Sequence, residues 1–322
     1  MEGNFTCTDA KKISVRIFAC NSATITTRYF TGTVRQIKLS KIQAIDAIIY
    51  LVFLIIQSAM KYHGQIHPIP AFSDNYIWIF SDWNNNACVV DPGDANAVKS
   101  HLELHNLSLT HILLTHHHAD HTGGVEELKK SFEPEVIGPA SSPFKLIDLA
   151  VSEGQKVNVL DLQFHVLEVP GHTLDHIAYY CADEPDGADP LVFCGDTLFA
   201  AGCGRIFEGN PAMMYESLQK LASLPAGTRV FCTHEYTLSN LKFARAADPD
   251  NQELHQRTKN AVATRENQKP TLPSSIALEL ATNPFLRCSE KELMQSVNLH
   301  SGCQSADPVE VFAALRSWKD NF

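Results

Sequence analysis

Residues 115–124 read THHHADHTGG, and this decapeptide restricts what the chain can fold into more than any other stretch of it. Four of its ten residues are histidine, with one aspartate embedded among them. The run ILLT that leads into it has the apolar character of a strand end, and Thr-Gly-Gly leads out into helical sequence. Imidazoles at His116 and His118 stand at i and i+2, so in extended chain they point the same way and can share one cation. Asp120 and His121 follow where the chain turns, and can face a second cation beside the first. Aspartate offers a hard oxygen and histidine a borderline nitrogen, a mixture that suits zinc, manganese or iron. A purification tag would be terminal and uninterrupted. H-x-H-x-D-H directly behind a strand is instead a specific signal for a metal centre.

Further ligands should come from other strand ends, and three residues fit. His172 lies in VPGHT just past FHVLEV, Asp196 in FCGDT just past LVFC, and His234 in FCTHEY just past RVFC. A lone histidine or aspartate after a strand is ordinarily a turn residue. Three in the same orientation, each beside a Gly or Thr, point to one site, because chemistry collects in the loops at strand ends.

Candidate strands occupy 76–80, 87–90, 111–114, 164–169, 177–181, 191–194 and 229–232, each rich in β-branched or aromatic residues and bounded by turn formers. Helical patterns fill 95–104, 124–130 and 212–222. Beyond His234 strand signals cease: 239–246 and 251–265 read as helices, and 290–318 as helix or loop. This order predicts an α/β sandwich over residues 60–233 and a smaller α-helical domain over 234–322.

Residues 1–59 differ from the rest. They carry seven Lys/Arg and three Asp/Glu in a chain of net charge −10, so the remainder holds −14. Their one greasy run, AIIYLVFLII at 47–56, is about half the length of a membrane-spanning helix. A signal peptide would not follow so long a preceding segment. The expectation is a leader outside any domain, disordered or an upstream extension, with Met60 as the natural start and a membrane anchor as the competing reading. The acidic balance, with a pI near 5.8, excludes the basic face that nucleic-acid binding needs. Nine cysteines, an odd number without a C-x-x-C pair, predict reduced thiols and a cytoplasmic protein.

With these residues in place, the set His116, His118, Asp120, His121, His172, Asp196, His234 resembles the metallo-β-lactamase superfamily. The strings PGHT, GDTLF, GCGR, HEYT and NPF resemble glyoxalase II, the hydroxyacylglutathione hydrolases, over residues 62–322. The resemblance implies an αββα sandwich followed by a helical glutathione-binding domain. It implies that His116, His118 and His172 bind one metal, that Asp120, His121 and His234 bind a second, and that Asp196 bridges both, Asp196 and Asp120 being the catalytic carboxylates. Two zinc ions are implied, with iron or manganese able to substitute. Asp91, in VVDPG, resembles the superfamily's first acidic motif, where it would orient a ligand imidazole. A simple turn aspartate before Pro-Gly is the alternative.

The implied reaction is hydrolysis of S-(2-hydroxyacyl)glutathione to glutathione and a 2-hydroxy acid, the second step of methylglyoxal detoxification, by a monomer acting on a small molecule. Paired cations lower the pKa of water, and a thiolate leaving group needs little protonation. No G-x-S-x-G supports a serine mechanism. By resemblance the glutathione contacts fall on Arg205, Phe207, Tyr236, Arg287 and Lys291. The family often has Lys and Tyr at the first two positions. Arg205 keeps the charge and adds a fork, whereas Phe207 lacks a hydroxyl. For Arg287 an interdomain salt bridge is the competing reading. Other members of the superfamily fit less well. A β-lactamase would carry a signal peptide and no helical tail, a tRNA-processing nuclease a basic arm, and a persulfide dioxygenase one iron and no NPF-type tail. A structural zinc module would favour cysteine-rich closed coordination.

Overall fold

The computed structural model describes residues 65–182, 189–302 and 304–322, together with three strands nearer the N-terminus. It divides into Met1–Gln65 and Ile66–Phe322. In the first unit β1 (Lys12–Ile17), β2 (Ser22–Arg28) and β3 (Val34–Ser40) pair antiparallel in that order. The β-branched content of these segments favours extended chain. The apolar run 47–56 and Met60 lie outside the described residues.

The second unit opens with β4 (His67–Ala71), β5 (Asn75–Ser81), β6 (Asn86–Val90), α1 (Ala95–His105), β7 (Ser108–Leu113), the short α2 (Ala119–Thr122), α3 (Val125–Phe132), β8 (Glu135–Pro139) and β9 (Leu149–Val151). There follow β10 (Lys156–Val159), β11 (Leu162–Glu168), β12 (Ile177–Cys181), β13 (Leu191–Gly195), the short pair β14 (Leu198–Phe199) and β15 (Gly202–Cys203), α4 (Pro211–Ala222) and β16 (Arg229–Cys232). The tail holds α5 (Thr237–Ala247), α6 (Gln252–Glu266), β17 (Ser274–Ser275), α7 (Ile276–Thr282), α8 (Lys291–Ser301) and α9 (Pro308–Asp320).

Two six-stranded sheets, β4-β5-β6-β7-β8-β9 and β10-β11-β12-β13-β16-β17, form the middle layers of an αββα sandwich. Every residue of β5 is buried, as a strand covered on both faces requires. Side chains of the two inner faces meet directly. Trp78 meets Phe231 edge-on at 4.9 Å, and Phe80 lies 5.9 Å from both Phe164 and Phe193. Caps set the helix starts: Asp94 accepts from the Asn96 and Ala97 amides at α1, and Asn210 with Pro211 opens α4.

The strands at 67–71 and 135–159 escaped the sequence reading. Pro68 and Pro70 demote 67–71 as a strand, yet β4 pairs on one side only, with β5, where a missing amide costs little. β17 likewise adds a two-residue strand beyond His234. Among the described residues no helix is long and apolar enough to cross a membrane.

Candidate metal centre

The seven candidate ligands stand at carboxyl ends of strands in the two sheets. His116 and His118 follow β7, with Asp120 and His121 in the first turn of α2; His172 follows β11, Asp196 follows β13, and His234 follows β16. Close backbone approach is needed to bring these ends together. At Gly195, φ is +46° and a Cβ would stand 2.3 Å from Thr115 Oγ1; at Gly93 it would stand 1.9 Å from the Asp120 carbonyl oxygen.

The structure brings all seven into one cluster, which contains three overlapping groups of converging ligand atoms: His116–His118–His172, His116–His121–Asp196 and Asp120–His121–His234. Asp196 lies between them. Its Oδ1 is 3.5 Å from His121 Nε2, and its Oδ2 is 3.5 Å from His172 Nε2 and 3.3 Å from His234 Nε2. Asp120 Oδ2 is 3.5 Å from His121 Nε2 and 3.4 Å from His234 Nε2.

A divalent ion fits this donor set. Two ligand atoms each about 2.1 Å from a shared ion and 3.3–3.5 Å apart subtend about 104–113° at it, close to tetrahedral. His116 Nε2, His121 Nε2 and Asp196 Oδ1 are buried with no hydrogen-bond partner among the described residues. Each such orphan costs roughly 1–3 kcal/mol, and a cation would engage all three.

Outer groups hold the imidazoles. Asp91, buried at φ +52°, accepts from the Thr115 amide (2.8 Å) and hydroxyl (2.7 Å), and its Oδ2 lies 3.0 Å from His121 Nδ1. Its turn position and its contact with a ligand imidazole are therefore the same feature. Asp74 lies 2.7 Å from His234 Nδ1, Asn75 Nδ2 donates to Asp120 Oδ2 (3.1 Å), and the Arg205 carbonyl accepts from His172 Nδ1 (2.7 Å). His176 stacks on His116 at 4.6 Å and accepts the Asp196 amide at 3.0 Å. Asp74, Asn75 and His176 escaped the sequence reading; FSDNY looks like any polar turn, and only the fold carries it across to His234.

Charge divides the cluster. Burial holds His116 well below the usual imidazole range, with His121 and His176 adding to the effect; burial also lowers His172 and His118. Burial opposes charge on His121 too, but the Asp196 and Asp91 carboxylates overcome it and raise its pKa. For His234 the hydrogen bonds to Asp120 and Asp196 outweigh burial and lift it to about 10. In metal-free protein at pH 7 these two imidazoles carry protons where an ion would bind. The contribution of His234 to metal-free stability is complete below the free-imidazole value of 6.5 and is lost as pH rises through about 10, and that of His121 is likewise lost on the alkaline side. Zinc added to metal-free protein at pH 7 should therefore release about two protons per chain. Calorimetry in buffers of different ionisation enthalpy reads that number, and no proton release would contradict the assignment.

The residues carried over as substrate contacts divide. Phe207 is exposed, its ring 5.3 Å from that of His172 and 5.6 Å from that of His118. Tyr236 stacks parallel on His234 at 4.7 Å, and burial followed by the Asp74 charge pushes its hydroxyl up to about 12, so it stays a donor. Arg205 reaches Asp320, 3.4 Å away. Arg287 Nε is 3.1 Å from the buried carboxylate of Asp248, a pair within the helical tail. Lys291 is exposed at the first position of α8. On α9, Arg316 lies 2.9 Å from the same Asp320, and Lys319, one residue before it in sequence, is half-buried.

Residues 75–234 match the metallo-beta-lactamase superfamily, and residues 235–322 match the hydroxyacylglutathione hydrolase C-terminus. The chain is 55% identical over 260 residues to the hydroxyacylglutathione hydrolase of Pseudomonas aeruginosa, covering 80% of this chain and 99% of that protein. It is 54% identical over 258 residues to the hydroxyacylglutathione hydrolase of Albidiferax ferrireducens, covering 80% of this chain and 100% of the relative. Among solved structures, ETHE1 from Myxococcus xanthus aligns with a TM-score of 0.53 at 27% identity, covering 79% of this chain and 98% of its own. The BLEG-1 B3 metallo-beta-lactamase aligns with a TM-score of 0.52 at 22% identity over 69% of this chain and 99% of its own, a likeness of fold alone. With both halves matched and more than half of the aligned residues identical, this chain belongs to the hydroxyacylglutathione hydrolase (glyoxalase II) family, hydrolases built on the metallo-β-lactamase fold.

Proposed function

We propose that this protein hydrolyses S-(2-hydroxyacyl)glutathione thioesters at a dinuclear centre, releasing glutathione and a 2-hydroxy acid, as in methylglyoxal detoxification. The observation that carries the proposal is the position of Asp196 between the two histidine groups, within 3.3–3.5 Å of His121, His172 and His234. His116, His118 and His172 would hold one ion, Asp120, His121 and His234 the other, and Asp196 both; zinc suits this donor set, and iron or manganese could replace it. When bound, a pair of divalent ions brings the pKa of water toward neutrality and polarises a carbonyl. Asp91 and Asp74 keep the His121 and His234 rings oriented. Asn75 does the same for the Asp120 carboxylate. A thiolate leaves without a dedicated acid, which fits a site whose buried carboxylate, Asp196, is held strongly ionised.

Glutathione carries a carboxylate at each end, and Arg205, Arg316 and Lys319 supply the cations. Arg205 is anchored to the centre through its carbonyl on His172 Nδ1, and its side chain meets Asp320 beside Arg316. Burial, then Arg316, lowers Lys319 to about 8, so an arriving carboxylate would strengthen its charge. Tyr236, on the face of His234, offers a hydroxyl. The six described cysteines are free and buried, and a reducing, cytoplasmic setting suits them.

Purified protein should release free thiol from S-D-lactoylglutathione at a rate that leaves a β-lactam untouched. Rapid β-lactam cleavage without thioester turnover would overturn the proposal. Phe207→Tyr restores a hydroxyl beside the centre and should lower KM by about 2–10-fold, the worth of one hydrogen bond, with kcat little changed. An unchanged KM would remove this position from substrate binding.

A further inference from the structure

Phe72 is a large apolar side chain left 61% exposed, in a backbone conformation that such residues avoid. It opens the loop between β4 and β5, where Ala71 pairs with Asn75 and the chain reverses over Phe72, Ser73 and Asp74. Its φ is +52°, in the left-handed region that glycine and asparagine enter readily and a bulky side chain does not. Burial does not offset that strain, since most of the side chain faces solvent. Exposure and strain at one residue together point to use rather than packing.

The neighbours of the loop fix where the ring stands. Two residues on, Asp74 lies 2.7 Å from His234 Nδ1, and Asn75 Nδ2 donates to Asp120 Oδ2 at 3.1 Å. The ring itself lies against Gly93, where a Cβ would stand 2.9 Å from Phe72 Cε2 and 1.9 Å from the Asp120 carbonyl oxygen. Phe72 therefore flanks the Asp120–His121–His234 group. Phe207, equally exposed, flanks the other group, its ring 5.3 Å from that of His172. Arg205, whose carbonyl holds His172 Nδ1, belongs to that same side. A glutathione thioester laid along Arg205 and Phe207 points its acyl group across the centre, toward Asp120 and Phe72.

We propose that Phe72 is a specificity-determining residue that contacts the acyl half of the substrate and selects for thioesters with a large apolar or aromatic group on the 2-hydroxyacyl carbon. This rests on the hydrolysis of glutathione thioesters proposed above. The methyl group of a lactoyl thioester covers little of an aromatic ring. A phenyl group in its place covers far more apolar surface and adds an offset or edge contact between the rings. Because Phe72 stands across the centre from Arg205, its contact discriminates among acyl groups, and the glutathione half is held elsewhere.

The test compares S-mandeloylglutathione, which carries a phenyl ring on its acyl group, with S-D-lactoylglutathione on the full chain loaded with zinc. Phe72→Ala and Phe72→Asn should each lower the mandeloyl-to-lactoyl ratio of kcat/KM by about 3–10-fold, the worth of one aromatic contact. Asparagine suits the left-handed backbone, so Phe72→Asn should melt no lower than the wild type. A ring kept only for structure would instead lower Tm in both variants and slow both substrates by one factor. That result, or a ratio unchanged in both variants, overturns the role of Phe72. Wild-type protein that hydrolyses neither thioester sinks the functional reading itself, whereas turnover of both with an unchanged ratio sinks this inference alone.

Discussion

Asp196→Ala protein, dialysed and assayed, should hold neither metal ion and should lose at least about three orders of magnitude in thioester turnover. The carboxylate lies within 3.5 Å of nitrogens from both histidine groups, so its removal leaves each group short of a ligand. It also takes away part of the negative charge that, with Asp91, Asp120 and Asp74, raises His121 and His234. Asp196→Asn keeps the shape and one oxygen donor, and should retain some metal with little turnover. A variant lacking Asp196 that kept both ions and most of its activity would show that the carboxylate does not join the groups.

The second large effect lies away from the centre. Glu279, fully buried, accepts from Arg257 Nη2 at 2.5 Å, from Ser274 Oγ, from the Ala201 amide at 2.8 Å and from Asn283 Nδ2 at 3.0 Å. Glu279→Ala leaves the Arg257 guanidinium buried without its charge partner. Breaking one side of such a pair costs about 3–5 kcal/mol. At about 2–4 °C per kcal/mol for a unit of this size, Tm should fall by roughly 6–20 °C in calorimetry. A fall under about 2 °C would mean that the network is replaceable by solvent. Ala201 stands between β14 and β15, on the segment that follows Asp196, so the helical tail props the metal-bearing loop through this carboxylate. Residual activity of the variant should therefore disappear at a lower temperature than its secondary structure.

The candidate metal ligands were legible in the sequence because each sits where a local pattern breaks. An apolar strand ends, a Gly or Thr follows, and a His or Asp stands where a core residue would be wasted. What supports them was not legible, since it is made by chain remote in sequence. His234 and Asp74 are separated by 160 positions and meet only because the start of β5 lies beside the end of β16, with the Tyr76 amide donating to the Thr233 carbonyl at 2.6 Å. Arg316 is a further case: no motif marks it, and only the fold sets it beside the Asp320 carboxylate that Arg205 also meets. The prolines that hid β4 are another case of context overriding local preference: an edge strand can spare amides that an inner strand cannot.

The central claim is that seven side chains from separate strand ends hold two ions with Asp196 between them. Anomalous diffraction at the zinc edge from crystals of zinc-loaded protein tests it most directly. Two peaks about 3.5–4 Å apart, one among His116, His118 and His172 and one among Asp120, His121 and His234, are the predicted result. A single peak, or peaks away from Asp196, would contradict it.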